Sequence, residues 1–400
     1  MFVQKVLYPN NMSFNEKDFG FLKNLITYDC FSIVDLADNL KFLNNSELTQ
    51  WLQADEFLII GTGGSSLGAQ CIYEIAKANL KNPLRKNIQF LSNLDPQTFQ
   101  TTISHIKHPE RVRILCISKS GETLETITQL LLIMDFFKNY QLSSKIVIIT
   151  ENKSSSLKQI AIDNNFLCFD HPKTIGGRFS VFSIVGMLPA LICGINPNEI
   201  YEGAQNILHG DMENIKKGAA FVFQNFKNKI TNHVSFIYSD KLKPFAEWLA
   251  QLYAESSGKD GIGITPIAAR GSVDQHSQLQ LYLDGTRDKC FSFFYEKQNC
   301  DFTITNNVPN KFNYLAQKNI SEIFEAQCDA TIKTLIEKKF NLRKFELSEI
   351  TPKILGALFM HFMIEVSSVC KLMEVNPFDQ PAVERGKIIT KALLNGAVIC

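Results

Sequence analysis

The stretch Phe57-Leu-Ile-Ile-Gly-Thr-Gly-Gly-Ser-Ser66 decides the fold, because it joins an apolar run to a turn rich in glycine. An uninterrupted apolar run of this kind is typical of a strand in a parallel sheet, which is buried on both faces. Helical spacing follows from Leu67 to Lys77. This order predicts a doubly wound α/β domain with a ligand-binding turn after the strand. The turn is not a dinucleotide fingerprint, since Ser66 replaces the third glycine of G-x-G-x-x-G.

The same unit recurs at residues 111–123, where an apolar strand ends in Ser118-Lys-Ser-Gly-Glu-Thr123 before another helical pattern. The hydroxyls of Ser118, Ser120 and Thr123 can bind a phosphate dianion together with Lys119 and the backbone N–H groups of a helix start. A helix N-cap with a capping box is the alternative, but it explains one hydroxyl and not three. We therefore predict a phosphate-binding turn.

Apolar runs that we predict as strands alternate with helical segments along most of the chain. They fall at residues 88–91, 145–150 and 166–169, and again at residues 234–238, 264–268 and 290–295. This alternation predicts an α/β fold of two domains, each a mainly parallel sheet flanked by helices. The predicted boundaries are residues 1–195, residues 196–350 and a C-terminal helical segment, residues 351–400, that packs back on the site.

Five local predictions accompany this architecture. Residues 1–50 are expected to form helices and connectors wrapped onto the first domain, and the alternating residues 342–347 an edge strand. Helical stretches are expected at residues 181–195, 198–228 and 272–283.

One carboxylate is placed for acid–base chemistry. In Gln251-Leu-Tyr-Ala-Glu-Ser-Ser-Gly-Lys259, Gln251 and Glu255 are one helical turn apart and share a face, while Gly258 ends the helix. The partial negative charge of a helix C-terminus disfavours the ionised carboxylate, which suits a general base. For this stretch alone, a solvated glutamate in the last turn of a helix is the commoner alternative.

Three further side chains are candidates with open alternatives. Arg178 follows two glycines and precedes an apolar helix, where a cation is unfavourable for the helix dipole, so a ligand role is favoured. His276 stands among polar residues, and we weigh a catalytic role equally against a structural hydrogen bond. Lys387, near the start of the last helix, is either a surface residue or a catalytic one that reaches the site.

Composition excludes several classes of protein. The chain has 400 residues, 45% of them hydrophobic, and a formal net charge of +1 without a basic segment, which argues against a nucleic-acid partner. Ten cysteines form no C-x-x-C pair, which argues against a zinc site and for reduced thiols in the cytoplasm. The N-terminal residues lack the pattern of a signal peptide, and the longest apolar run is too short to span a bilayer. We expect neither a membrane nor a metal partner.

Six blocks, in order along the chain, resemble the glucose-6-phosphate isomerase (phosphoglucose isomerase) family in its compact bacterial form. They are Gly61-Thr-Gly-Gly-Ser65, Ser118-Lys-Ser-Gly-Glu-Thr123, Gly176-Gly-Arg178, Gln251 to Lys259, Asp274-Gln-His276, and Asp379-Gln380 with Gly386-Lys387. The second block alone is shared by the wider sugar-isomerase (SIS) superfamily, whereas the six together are far more specific. The resemblance implies two SIS domains with a C-terminal helical segment, and a homodimer.

The resemblance also implies an activity: reversible isomerisation of glucose 6-phosphate and fructose 6-phosphate in glycolysis and gluconeogenesis, without cofactor or metal. Glu255 would move a proton between carbons 1 and 2, and Arg178 would stabilise the cis-enediolate. His276 and Lys387 would open the ring, His276 from the neighbouring subunit. The implied substrate-binding residues are Gly64, Ser65, Ser118, Lys119, Ser120, Thr123, Gln251 and Gln380.

Two other activities fit the same motifs. A bifunctional phosphoglucose/phosphomannose isomerase would share the enediolate and also accept mannose 6-phosphate. A non-catalytic phosphosugar-binding module would need the turn at residues 118–123, but it would have no need for Glu255, His276, Arg178 and Lys387 together.

Overall fold

The computed structural model describes residues 2–8, 14–79 and 82–396. The strands in these residues are β1 Phe2–Tyr8, β2 Glu56–Ile60, β3 Asn87–Leu91, β4 Val112–Ile117, β5 Ile146–Thr150, β6 Leu167–Asp170, β7 Asn232–Tyr238, β8 Thr265–Arg270, β9 Lys289–Glu296 and β10 Leu342–Leu347. They form two five-stranded sheets.

The α-helices surround these sheets. They are α1 Leu22–Leu25, α2 Asp29–Ser32, α3 Ser46–Trp51, α4 Leu67–Lys77, α5 Pro96–Ser104, α6 Leu124–Phe136, α7 Ser156–Asp163, α8 Ile184–Ile192, α9 Pro197–Leu208, α10 Glu213–Lys227, α11 Lys243–Ser257, α12 Leu279–Asp284, α13 Ile320–Glu337, α14 Pro352–Leu372 and α15 Glu384–Leu394. Short 3₁₀ helices lie at Glu16–Phe19, Ile33–Asp35, Ala37–Asn44, Gly63–Ser65, Gly177–Phe182, Asp240–Leu242, Val273–Gln275, Asn310–Leu315 and Pro381–Val383.

The first sheet has the strand order β3-β2-β4-β5-β6, and every pairing in it is parallel. Successive side chains of a strand point to opposite faces, so β2 contributes to two separate cores. Phe57 and Ile59 pack in the core shared with the rest of the protein, while Leu58 and Ile60 pack in the other. The apolar run is therefore buried on both faces, as predicted for a doubly wound sheet.

The second sheet has the order β1-β10-β9-β7-β8. Strands β7, β8, β9 and β10 pair in parallel. Strand β1 pairs antiparallel with β10, with Phe2 opposite Leu347. The predicted α/β fold with two mainly parallel sheets is confirmed. The prediction of β10 as an edge strand is wrong because β1 covers it, and the N-terminal residues accordingly do not all wrap onto the first domain. The predicted domain boundaries remain predictions.

The expected helix at residues 181–195 is shorter than predicted. Its first residues belong to the 3₁₀ helix Gly177–Phe182, and α8 begins only after Ser183, whose hydroxyl accepts a hydrogen bond from the N–H of Val185 at 3.3 Å. A serine that accepts this bond is a helix N-cap, so the chain starts a new helix there. The helical stretch at residues 198–228 is likewise two helices, α9 and α10, separated at residues 209–212.

The expected helix at residues 272–283 is also broken. The carboxylate of Asp274 accepts hydrogen bonds from the backbone N–H of Arg270 at 2.6 Å and from the Ser277 hydroxyl at 2.7 Å. Such local bonds from an aspartate compete with helical hydrogen bonds. Only the 3₁₀ helix Val273–Gln275 and the short α12 form here.

Helix α14 is the core helix of the molecule. Among the described helices it is the one long and apolar enough to cross a membrane, with 21 residues and a mean hydropathy of 1.4 over 18 of them. Inside the protein 94% of that window is buried, so it serves as a core helix. It also carries Glu365, which forms a fully buried ion pair with Arg343 of β10. Helix α11 packs against it and carries the candidate base.

Candidate active site

Helix α11 places Gln251 and Glu255 side by side at its C-terminal end. The amide Nε2 of Gln251 donates to Oε1 of Glu255 at 2.8 Å, as their spacing of one turn predicts. Residues on the opposite face, such as Leu249 and Tyr253, are buried in the core and hold the helix in place. The helix ends at Ser257, followed by Gly258. The Glu255 side chain keeps 32% of its surface exposed and is therefore accessible to a small molecule.

Arg178 lies beside Glu255 and is fully buried. Its Nη1 donates to Oε2 of Glu255 at 3.1 Å and to Oε1 of Gln380 at 2.6 Å, and its Nε donates to the Ser256 hydroxyl at 2.8 Å. Its Nη2 donates to two backbone carbonyls of residues 377–379 at 2.6 and 3.1 Å. All five N–H donors of the guanidinium are thus used. Burial lowers the pKa of Arg178, and Glu255 opposes this effect; an arginine remains a cation in such a site.

The glycine turn after β2 reaches this cluster. A Cβ on Gly64 would lie 2.2 Å from the carbonyl carbon of Gly177, and one on Gly63 would lie 2.9 Å from Nε2 of Gln251. The backbone of Gly63 is also left-handed, with a φ of +55°, a conformation that favours glycine. These close approaches bring the end of the first sheet against both Arg178 and α11. Ser65 ends the same turn.

The hydroxyl-rich turn after β4 is a second part of the site. The hydroxyl of Thr123 lies 2.9 Å from that of Ser118 and 3.4 Å from that of Ser120. Thr123 is the N-cap of α6, but its side chain makes no capping hydrogen bond. Glu122 does not complete a capping box, because its carboxylate accepts from Ser156 instead. The structure therefore brings three hydroxyls together without the capping box.

Lys119 and Gln380 are two further residues that the sequence predicts to bind the substrate. The ammonium of Lys119 lies 3.5 Å from the carboxylate of Glu151 and forms an ion pair with it. Gln380 reaches Arg178 because the ring of Phe378, two residues earlier, is held by two other rings. It stacks on Tyr28, with the ring centroids 4.7 Å apart, and packs against Phe179, with the ring centroids 5.3 Å apart. These ring contacts hold the turn at residues 376–380 next to the start of the 3₁₀ helix that carries Arg178.

Comparison with known proteins decides the family. The sequence profile described as phosphoglucose isomerase matches residues 52–397. The chain belongs to the phosphoglucose isomerase family. It is 34% identical over 381 residues to a glucose-6-phosphate isomerase of Campylobacter jejuni, covering 91% of each chain. It is 33% identical over 369 residues to one of Methanocaldococcus jannaschii, covering 89% of this chain and 86% of that one.

Solved structures share this fold. A crystal structure of a hypothetical protein from Thermus thermophilus superposes with a TM-score of 0.84 at 26% identity and covers 95% of this chain and 94% of the other. A glucose-6-phosphate isomerase from Chlamydia trachomatis has the same fold, with a TM-score of 0.74 at 21% identity, over 89% of this chain and 72% of that one.

Two motif residues of this phosphoglucose isomerase family member lie away from Glu255. The His276 side chain is exposed after the 3₁₀ helix Val273–Gln275 and makes no hydrogen bond or ion pair within residues 2–8, 14–79 and 82–396. Lys387 lies on the exposed helix α15, where its ammonium bonds Glu384 at 2.6 Å. Within one chain, the structure does not bring either residue to Arg178, and their predicted roles remain predictions.

Three residues of the site were not predicted from the sequence. Ser256 and the carbonyl of Asp379 accept from Arg178, and Lys259 bonds the end of α11. The signal for Lys259 was its position just past a helix end, where a cation can bond the last carbonyls. Among the described residues, no group of three or more His, Cys, Asp or Glu side chains is placed to hold a metal ion.

Proposed function

We propose that this chain catalyses the reversible isomerisation of glucose 6-phosphate and fructose 6-phosphate, with Glu255 as the base. The observation that carries the proposal is the pairing of an accessible carboxylate with a fully buried guanidinium, Arg178, at 3.1 Å. A base next to a fixed cation suits a reaction that passes through an anion. The names of the relatives from Campylobacter jejuni and Methanocaldococcus jannaschii support the same substrates.

In the proposed reaction, Glu255 removes the proton on carbon 2 of the open-chain aldose and returns it to carbon 1. The electrons of the broken C–H bond pass into a cis-enediolate, whose negative charge on oxygen 1 Arg178 stabilises. As carbon 1 is protonated, the hydroxyl proton on oxygen 2 passes to oxygen 1 and the carbonyl forms at carbon 2. Nη1 of Arg178 now donates to Glu255 and Gln380, so substrate oxygens would take over one or both of these bonds. Donors that are oriented before the reaction lower its barrier, because they need no reorganisation as charge develops.

The remaining motif residues would hold the substrate. Ser118, Ser120 and Thr123 would bind the phosphate together with free N–H groups at the start of α6 and the backbone of Lys119. Gly64 and Ser65 would line the side of the sugar, where the close packing of Gly64 on Gly177 leaves no room for a side chain. Gln251 and Gln380 would orient the hydroxyls, since each already bonds a catalytic group.

His276 and Lys387 would open the sugar ring before proton transfer. We propose a homodimer in which His276 enters the site of the neighbouring subunit. The exposed position of His276 supports this, as do two large apolar side chains exposed near it, Val273 at 51% and Leu281 at 54%. We place the enzyme in glycolysis and gluconeogenesis in the cytoplasm; the nine described cysteines, all free thiols, are compatible with a reducing compartment.

The test compares the native protein with Glu255→Gln, using fructose 6-phosphate and a coupled dehydrogenase that reads glucose 6-phosphate. Glutamine keeps the size and can still accept from Arg178, but it cannot take a proton, so turnover should fall by several orders of magnitude while a phosphosugar inhibitor still binds. Native protein that binds fructose 6-phosphate without turnover would instead be a phosphosugar-binding module. Turnover of mannose 6-phosphate would show the bifunctional isomerase.

A further inference from the structure

Lys259 is a buried lysine at the end of the base helix. It follows the C-cap residue Gly258, and its side chain is only 8% exposed. A buried ammonium is costly unless polar groups surround it. Its position is fixed by a tight turn, in which the N–H of Lys259 donates to the carbonyl of Ile262 and the N–H of Ile262 returns a bond to Lys259.

The ammonium of Lys259 binds the last turn of α11 directly. Nζ donates to the backbone carbonyl of Glu255 at 2.9 Å and to that of Ser256 at 2.6 Å. These two residues are the candidate base and the serine that accepts from Nε of Arg178. The last carbonyls of a helix have no partner within the helix, so Lys259 both satisfies them and opposes the partial negative charge there.

The same ammonium reaches the turn that carries Gln380. Nζ lies 3.5 Å from Oδ1 of Asp379, whose other oxygen accepts from Asn376 at 2.9 Å. Arg178 binds the carbonyls of Pro377 and Asp379 from its own position. Lys259 and Arg178 are thus two cations that join the end of α11 to residues 376–380.

The charged and titratable groups that act on Lys259 come from three elements. They are Arg178 in the 3₁₀ helix Gly177–Phe182, Asp379 in the turn at residues 376–380, and the buried thiol of Cys370 on α14. Burial is the main cause that lowers the pKa of Lys259, followed by Arg178, while Cys370 and Asp379 oppose the shift. Asp379 is therefore the acidic side chain that balances this cation.

We propose that Lys259 is a positioning residue for catalysis. It holds the backbone of Glu255 and the turn that carries Asp379 and Gln380 at fixed positions beside Arg178. This inference rests on the proposed isomerase function. Lys259 need not touch the substrate. It fixes the distance between the base and Gln380.

The test measures kcat and KM for Lys259→Met and Lys259→Arg with fructose 6-phosphate. Misplacement of a catalytic group by about an ångström costs on the order of 100-fold, so we expect kcat of Lys259→Met to fall about 10- to 100-fold. KM should change little, because the phosphate-binding turn is untouched. Lys259→Arg should recover part of kcat.

Lys243→Met is the matched control, since it removes an exposed cation at the first residue of the same helix. Its kinetics should equal those of the native protein.

Asp379→Asn is a second test if Lys259→Met does not fold, because Asp379 is 53% exposed and its loss should lower kcat with KM kept. Native kcat in the lysine variant, or in Asp379→Asn if only that variant folds, would overturn the inference. Absence of turnover in the native protein would instead overturn the proposed function and leave the positioning role to be judged from inhibitor binding.

Discussion

At the scale of single residues, the site depends on the planar guanidinium of Arg178. Its five donors bond Ser256, Glu255, Gln380 and two backbone carbonyls. A lysine offers three donors from one nitrogen and cannot reproduce this fork. The proposed enediolate therefore needs arginine at this position, and the charge alone is insufficient.

We accordingly predict that Arg178→Lys lowers kcat by about 100-fold or more, the usual cost of losing one oriented donor to a developing anion. Steady-state kinetics with fructose 6-phosphate provide the measurement, with circular dichroism to confirm folding. Arg85→Lys, an exposed arginine outside the site, is the control and should keep native kinetics. A loss of less than tenfold in Arg178→Lys would contradict the proposed role.

At the scale of elements, α11 is held from behind by a buried polar network. The carboxylate of Glu365 accepts two bonds from Arg343, at 2.8 and 2.7 Å, and one from the hydroxyl of Tyr253 on α11 at 2.8 Å. His233 joins through Ser292, at 2.7 Å, and its ring packs against that of Tyr253. Burial, together with Arg343, lowers the pKa of His233 from 6.5 to about 3. The histidine is therefore neutral in the folded protein.

A histidine with a lowered pKa in the folded state gives acid sensitivity. The stability it contributes is complete above the unfolded value of 6.5 and is lost as the pH falls toward about 3. Between pH 7 and pH 5, His233 should account for a loss of about 2 kcal/mol in the free energy of unfolding. We predict that the free energy of unfolding of His233→Gln falls by about 2 kcal/mol less between these pH values than that of the native protein. Urea unfolding at both pH values provides the measurement. The exposed His105→Gln should behave as native, and equal drops in all three proteins would count against the prediction.

Strand β1 is a second element with a testable role, because it covers the edge of β10. An uncovered strand edge pairs readily with other chains. Removal of residues 1–8 should therefore lower the melting temperature and produce aggregates in size-exclusion chromatography. Lys5→Met keeps the strand and removes only an exposed ion pair with Glu346, so it should change stability by less than about 1 kcal/mol. A monodisperse truncated protein with native melting temperature would show that β1 is dispensable.

At the scale of the whole molecule, the proposed dimer predicts complementation between inactive variants. If His276 crosses the interface, a hybrid of Glu255→Gln and His276→Ala chains has one intact site, formed by Glu255 of one chain and His276 of the other. Random exchange of subunits in a symmetric dimer should restore about a quarter of native activity. The measurement is the activity of the two variants unfolded and refolded together, with each variant refolded alone as the control. No recovery would mean that both residues serve the same chain's site.

The sequence by itself determined the local parts of this protein. Residues 57–66 predicted a buried strand, a turn and a helix, and the spacing of Gln251 and Glu255 predicted their shared helix face; the structure has both. The spacing of side chains, the apolar content of a run and the position of a glycine determine structure over a few residues, so the sequence alone shows their effect. The three hydroxyls after β4 were found in the same way.

Only the tertiary structure decided which distant residues meet. It paired β1 with β10, divided the helical stretches expected at residues 181–195 and 272–283, and placed Gln380 and Lys259 on either side of the Arg178 cluster. Strand pairs and buried ion contacts of this kind join residues far apart in sequence, and they form only where packing brings complementary groups together. No local pattern encodes such a contact, because its free energy depends on the partner and on the burial that the partner supplies.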